Sequence, residues 1–316
     1  MSNERVFDIS RISAANLGAL INEQGKNLEM RICELSFVAE KIAKSLSELY
    51  YDGMSIADVM AYLAEEMSAS QINMSDSSRV TENRFVSRFD SIVKGIDKAN
   101  LAMLLKEKIN DFGIEITESD FLPSYSAESS FSYVRNALSD EAYEVFAEEF
   151  DDPRVFYADS FKDAAAAVAD GRVGYCILPF EERGMRIPSI ANSISALDLK
   201  VCALTPVFGF EGTADMKYAL VGKGFVIPEV DDSTDRYLEI NVDRSNGLSI
   251  SELLAVFEYL GASVFRVNTV SGDDLDEKSH FSVIIKDGGS SFTEILIYLS
   301  IFAESYYPVG IYKNIE

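Results

Sequence analysis

His280 is the one histidine among 316 residues, so any mechanism that moves a proton through imidazole would have to run through that position. It opens an apolar run, His280-Phe-Ser-Val-Ile-Ile285, with no cysteine or second histidine beside it. That setting suits a structural role better than metal ligation or general-base work. Cys33, Cys176 and Cys202 are odd in number, widely spaced and set among apolar residues, a pattern of buried thiols rather than of a disulfide framework or a metal site. Asp273, Asp274, Asp276 and Glu277 gather carboxylates, but without the alternating positions and central glycine of a calcium loop the run reads as a solvated turn. Gly209, Gly212, Gly222 and Gly224 do not form the G-x-G-x-x-G turn that lays a pyrophosphate on a helix start. Neither a metal nor an organic cofactor is expected.

The elements that could position a site are bounded by composition. A chain of 316 residues, 47% of them hydrophobic, is long enough for two or three domains with cores of their own. No apolar run approaches the roughly 18 residues of a membrane span, and Met1 to Ser13 is too polar for a secretory signal, so a cytoplasmic protein without membrane contact is expected. The net charge of −24 is spread over the whole length. No segment carries the basic excess that phosphate neutralisation requires, which weighs against DNA.

The pattern is clearest from Tyr237 to Ile315. Tyr237-Leu-Glu-Ile-Asn-Val242 alternates with the two-residue period of a strand, and Ser249 or Ser251 then caps a helix through Leu253, Leu254, Phe257 and Leu260 that Gly261 stops. Ser263 to Val270 and His280 to Ile285 are two more strands, joined across the acidic segment from Gly272 to Lys278. Gly288-Gly289 ends the second, Ser291 opens a helix through Ile295, Leu299, Phe302 and Ala303, and Val309-Gly-Ile-Tyr312 is the last strand. The order gives a ferredoxin-like βαββαβ unit with both helices on one face of an antiparallel sheet. It resembles an ACT domain, which implies amino-acid sensing.

Upstream, Phe121-Leu-Pro-Ser-Tyr-Ser-Ala-Glu128 leads into a helical pattern from Ser130 to Leu138, and Val155-Phe-Tyr157 reads as a short strand. Ser160 to Gly171 is a helix with Ser160 and Asp163 in capping-box positions, and Val173 to Leu178 is a buried strand running into Pro179-Phe-Glu-Glu-Arg-Gly184. This succession of a Ser-Tyr-Ser turn, helix, strand, S-F-x-x-A-x-x-A-V-x-x-G helix and strand into P-F-E resembles the first lobe of the prephenate dehydratases, in which an ACT domain commonly follows. The resemblance covers residues 117 to 316. It implies an α/β fold of periplasmic-binding-protein type with two lobes around prephenate, and candidate site residues Ser124, Ser126, Glu181, Met216 and Lys217.

The departures from that family bear on activity. Its Thr-Arg-Phe run becomes Met216-Lys217-Tyr218, and a thioether has no proton to give, whereas general acid catalysis needs a positioned O–H or N–H. Lys217 keeps a positive charge without the planar fork of arginine. The family's Pro-Ile-Glu-Asn-Ser becomes Pro179-Phe180-Glu181-Glu182-Arg183, which adds a carboxylate beside the place of a dianionic substrate. From Glu181 to Met216 there is room for a helix and two strands but not for a second lobe, so the lobe is expected to be truncated. In the ACT-like segment the counterparts of the effector turns are Asn246-Gly247-Leu248 and Asn268-Thr269-Val270-Ser271. The first keeps its glycine and the second is changed, which leaves the effector open.

Residues 1 to 115 read as helical. Leu28 to Leu49 and Arg88 to Ile109 place apolar residues three and four apart, and Ser55 caps Ile56 to Met67 with Asp58 in the capping-box position. A scaffold or dimerisation domain and a helix-turn-helix over Ser55 to Phe85 fit that pattern, and the resemblance to the dehydratases, which a helical chorismate mutase domain can precede, implies a mutase-like alternative with Arg31, Lys41 and Asp58 in loosely suitable places. The mutase reading lacks the Arg-Glu pair after its aspartate, which is Val59-Met60 here.

The whole reads as a multidomain α+β chain: a helical part (1–115), a truncated dehydratase-like α/β part (116–230) and an ACT-like part (231–316). The expected function is that of a catalytically impaired, ligand-responsive homodimer in aromatic amino-acid metabolism, with an amino acid or a prephenate-like molecule as ligand. An active dehydratase and an amino-acid-responsive transcription regulator are the alternatives.

Overall fold

The computed structural model describes residues 32–71, 84–209, 215–229, 235–243, 249–270, 280–288, 291–303 and 305–315. Three helices come first, α1 (32–51), α2 (Ile56–Gln71) and α3 (Arg84–Asp111). After a 3-10 turn at Glu118–Asp120 the chain alternates through β1 (Ser130–Tyr133), α4 (Ala137–Ala147), β2 (Arg154–Tyr157), α5 (Phe161–Ala169) and β3 (Tyr175–Glu182). Next come β4 (Met185–Arg186), α6 (Pro188–Ala196), β5 (Lys200–Val207) and β6 (Met216–Gly222). The last run is β7 (Arg236–Asp243), α7 (Ile250–Tyr259), β8 (Ser263–Val270), β9 (His280–Lys286), α8 (Thr293–Phe302) and β10 (Tyr306–Lys313).

All ten strands belong to one mixed sheet, so the described residues form a mixed α/β fold. The order is β2-β1-β3-β6-β5-β10-β7-β9-β8, with β4 hanging on β3. β2, β1 and β3 are parallel, as the intervening helices α4 and α5 require. β3, β6 and β5 are antiparallel, and so are β10, β7, β9 and β8. The two halves are joined where β10 runs parallel to β5, with Gly310 opposite Val201 and Asn314, just past β10, bridging Leu204.

Side-chain alternation sorts the sheet's faces into three cores. Phe131, Tyr133, Tyr175, Ile177 and Tyr218 pack under α4 with Ala142 and Phe146. Cys176, Leu178, Phe180, Ala219 and Val221 face α5 and α6, and that core runs on into Tyr237, Ile284 and Tyr312 of the last four strands. On the opposite face of those strands Leu238, Ile240, Val283, Ile285 and Ile311 lie under α7 and α8. The same core continues outward into α1, α2 and α3 through Ala43, Val59, Met60, Ala102 and Leu105. The first helices therefore form a third layer over α7 and α8. Gly95 permits the close approach of α3, since a Cβ there would sit 2.7 Å from Glu252 Cγ.

Several local signals act as read. Ser160 Oγ accepts the amide of Asp163 at 3.1 Å and donates to its carboxylate at 2.6 Å, and Ser249 Oγ accepts the amide of Glu252 at 3.1 Å. Other readings are corrected. Ser130 to Tyr133 is not the start of a helix but the strand β1, and the helix begins only at Ala137, where Asn136 Oδ1 accepts the amides of Leu138 and Ser139. Phe131 and Tyr133 are at most 2% exposed in the parallel sheet, so burial overrode a short-range pattern that suits either element. Cys33 is exposed, in contrast to Cys176 and Cys202, because it lies on the outer face of α1. The Gln71 to Phe85 stretch of the helix-turn-helix reading lies largely outside the described residues, as does Arg31.

Candidate functional site

The C-terminal end of β3 carries the candidate site. The strand continues through Pro179, with a register shift between Pro179 and Glu181 opposite β6. Arg183 and Gly184, with φ of 51° and 73°, form the two-residue turn that folds β4 back so that Glu181 pairs with Arg186. Phe180, Glu181 and Arg186 are thereby delivered to the seam where the α/β half of the sheet meets β7, β8, β9 and β10.

Four charged side chains alternate across that seam. Arg266 Nη1 on β8 donates to Glu181 Oε1 at 2.7 Å, and Arg186 Nε lies 3.7 Å from the same oxygen. Arg186 Nη2 donates in turn to Glu239 Oε2 on β7. Glu239 also accepts from Ser282 Oγ at 3.0 Å and from Tyr312 Oη at 3.1 Å. Glu181 and Glu239 are both 3% exposed, so each carboxylate is held by guanidinium partners rather than by bulk water. Arg186 Cζ also lies over the Phe180 ring, 3.4 Å from its centroid. Burial works against its charge, but Glu239, Tyr312 and Glu181 outweigh that and hold its pKa above the ordinary value. Burial, then the Glu239 charge, push the Tyr312 phenol well above its usual range. Among the described residues Arg186 Nε has no hydrogen-bond acceptor.

Lys217 stands opposite Glu181 on β6 and shares with it a recess lined also by Tyr237, Phe265, Arg266 and Tyr312. The recess encloses about 10 Å³, room for about one water and far below the roughly 300 Å³ at which ligand pockets begin. Met216, the next residue, pairs with Glu182 but packs on the opposite face, in the core under α4. Ser124 and Ser126 are exposed and belong to the other end of these strands: Ser124 bridges Phe225, beyond the Tyr175–Gly222 pair. Glu181 is six residues along β3 from Tyr175, about 20 Å at the rise of a strand. The structure thus brings Glu181 and Lys217 together and leaves Ser124, Ser126 and Met216 apart from them.

Asn268 and Thr269 lie near the end of β8, opposite Ser282 and Phe281 of β9. Alternation sets Asn268 on the face of Arg266 and Thr269 on the other. Asn246, Gly247 and Leu248 lie outside the described residues. The residues of this cluster that sequence reasoning missed are Arg186, Glu239, Arg266, Ser282 and Tyr312. Glu239 offers the one signal: a carboxylate mid-strand is costly to bury unless a cation meets it. Among the described residues no cluster of three His, Cys, Asp or Glu side chains could hold a metal ion, and no helix is long and apolar enough to cross a membrane.

No family model and no curated protein matches the chain. Among solved structures it is similar to one described as GqqA, a novel type of quorum quenching acylase, at 17% identity and a TM-score of 0.45, over 59% of this chain and 95% of that one. It is similar to the prephenate dehydratase of Streptococcus mutans at 10% identity and a TM-score of 0.46, over 59% of this chain and 99% of that one. A third is the prephenate dehydratase of Arthrobacter aurescens in complex with L-Phe, at 10% identity and a TM-score of 0.41, over 58% of this chain and 89% of that one.

Proposed function

We propose that this chain is a non-catalytic, ligand-responsive relative of the prephenate dehydratases, in which a dehydratase-like α/β part (116–230) no longer turns over prephenate and an ACT-like part (231–316) responds to an amino acid. The helical part (1–115) serves as scaffold, and the working form is a cytoplasmic homodimer in aromatic amino-acid metabolism. The observation that carries this reading is the commitment of Glu181. The carboxylate kept from the family's motif is 3% exposed and tied to Arg266 and Arg186, in a recess of about 10 Å³. Proton transfer needs a donor or base within hydrogen-bond reach of the substrate. Glu181 is held by cations instead, Met216 faces a core, and the Ser-Tyr-Ser turn is about 20 Å away along the strand.

Purified full-length protein is incubated with prephenate and phenylpyruvate is followed against a protein-free control. No formation above the control is expected. Turnover that disappears in Lys217→Ala, at an unchanged melting temperature, would overturn the non-catalytic reading.

A further inference from the structure

A second cavity lies away from the Glu181 recess, between the start of α1, the outer side of α3 and the first turn of α8. It is open to solvent on one side and holds about 360 Å³, against about 10 Å³ for the recess, at the small end of the range of ligand pockets, roughly 300–1,000 Å³. Ile32, Met103 and Leu104 give it an apolar wall, while Lys106, Glu107 and Glu294 bring one cation and two carboxylates to the same space. Lys106 Nζ donates to Glu294 Oε1 at 2.7 Å, which leaves two of its three N–H donors for another acceptor. Glu107 Oε1 takes Lys108 at 3.2 Å, which leaves the second carboxylate oxygen of Glu107. Asn100 Oδ1 is fixed by the Tyr259 hydroxyl at 2.7 Å, so its amide N–H groups remain to donate at the cavity wall.

We propose that this cavity binds a small zwitterion with an apolar side chain, of the size and chemistry of an aliphatic α-amino acid. A carboxylate meets Lys106 and the Asn100 amide, an ammonium meets Glu107 and Glu294, and the side chain covers Met103 and Leu104. A lone anion would face two carboxylates and a lone cation would face Lys106, so charge complementarity selects a molecule that carries both signs. Because the walls come from α1, α3 and α8, occupancy ties the outer helical layer to the helix that lies on the last four strands. The site is independent of prephenate chemistry and of the Asn246–Leu248 and Asn268–Thr269 positions.

The test is thermal unfolding of the full chain titrated with L-leucine, with 4-methylpentanoate and isoamylamine as the probes that lack one charge each. A ligand that binds only the native state raises the melting temperature with its concentration. L-Leucine is expected to do so and the two single-charge probes to do so far less. Lys106→Gln, Glu107→Gln and Met103→Glu are each expected to weaken the apparent affinity about tenfold, the loss of one charge-assisted hydrogen bond or of the apolar contact. Met103 is 44% exposed and the Lys106 and Glu107 side chains are 22% and 63% exposed, so these variants are expected to fold. No rise with L-leucine, an equal rise in all three variants, or an equal rise with either single-charge probe would overturn the proposal. None of these readouts involves prephenate, so failure here leaves the non-catalytic reading as it stands.

Discussion

Gly310 of β10 faces Val201 of β5 in the parallel pairing that joins the two halves of the sheet, and a Cβ at that glycine would stand 2.4 Å from the Val201 carbonyl oxygen and 2.8 Å from its Cβ. Backbone on both sides leaves no flexible side chain to yield. Gly310→Ala is therefore expected to destabilise the protein by about 1–3 kcal/mol, the usual cost of overpacking, and Gly310→Val by more. Urea unfolding of the full chain measures both. Wild-type midpoints for both variants would mean that the strands separate at no cost and that the sheet is not continuous there.

The seam quartet makes a prediction of its own. Arg266→Ala removes one guanidinium from Glu181, which keeps Arg186 at 3.7 Å, so the loss is expected to be about 1–3 kcal/mol, that of a charged hydrogen bond. Arg186→Ala strips Glu239 of its cation as well and is expected to cost about 3–5 kcal/mol, as for a broken buried pair. The ranking is the test: Arg266→Ala costing more than Arg186→Ala would contradict the burial order of the two.

Much of this fold is legible in the sequence because its signals are short-range. Ser263 to Val270 is rich in β-branched residues and is a strand over those same residues, while Ser160 and Asp163 sit three apart and cap α5. The Arg266–Glu181 and Arg186–Glu239 contacts join residues 85 and 53 apart in sequence, and no local pattern announces such a meeting. Glu239 falls on the polar phase of a period-two strand, which says that it shares a face with Tyr237 and not what covers that face. The same limit explains β1, where Phe131 and Tyr133 fit a helix or a strand until the parallel neighbours β2 and β3 are in place.

Thiol chemistry separates the three cysteines. Cys33 is exposed while Cys176 and Cys202 are buried, and burial pushes both buried thiols above their ordinary range. Since the thiolate is the reactive form, Ellman's reagent should modify only Cys33 in the native protein within minutes. In guanidinium all three cysteines should react. Cys33→Ser should abolish the native fraction, and rapid native labelling of a second thiol would show that the sheet opens at β3 or β5.

Alkaline stability follows from the same burial. Burial raises the Cys202 thiol to about 12 from an ordinary 9.0, and Cys176 is also raised. Below about pH 9 both thiols hold their protons in native and unfolded chains alike, so they add no pH dependence. Above that, the unfolded chain releases protons that the native state retains, and stability falls by up to about 1.4 kcal/mol per pH unit for each thiol. The contribution is thus fully present at neutral pH and lost as pH rises toward the folded-state value. Cys176→Ala with Cys202→Ala should be less stable at neutral pH, from the small cavities left, yet should lose less stability than wild type over the two units above pH 9. Parallel slopes for the two proteins in urea titrations would show that the buried thiols do not drive the alkaline transition.

The clamp at Glu118 ties three distant segments through one carboxylate. Arg236, 2% exposed, gives both terminal nitrogens to Glu118 at 3.0 Å and one of them also to Asp287 at 2.8 Å. The Phe292 amide donates to the same Glu118 carboxylate at 2.8 Å. Glu118→Gln keeps the shape and one acceptor but removes a charge facing a buried guanidinium, so a loss of about 2 kcal/mol is expected. Asp287→Asn leaves the bidentate pair intact and should cost less. Because the Phe292 amide precedes α8, amide exchange in the first turn of α8 should accelerate in Glu118→Gln and remain at the wild-type rate in Asp287→Asn. Equal acceleration in both variants would mean that Arg236, rather than Glu118, holds the start of that helix.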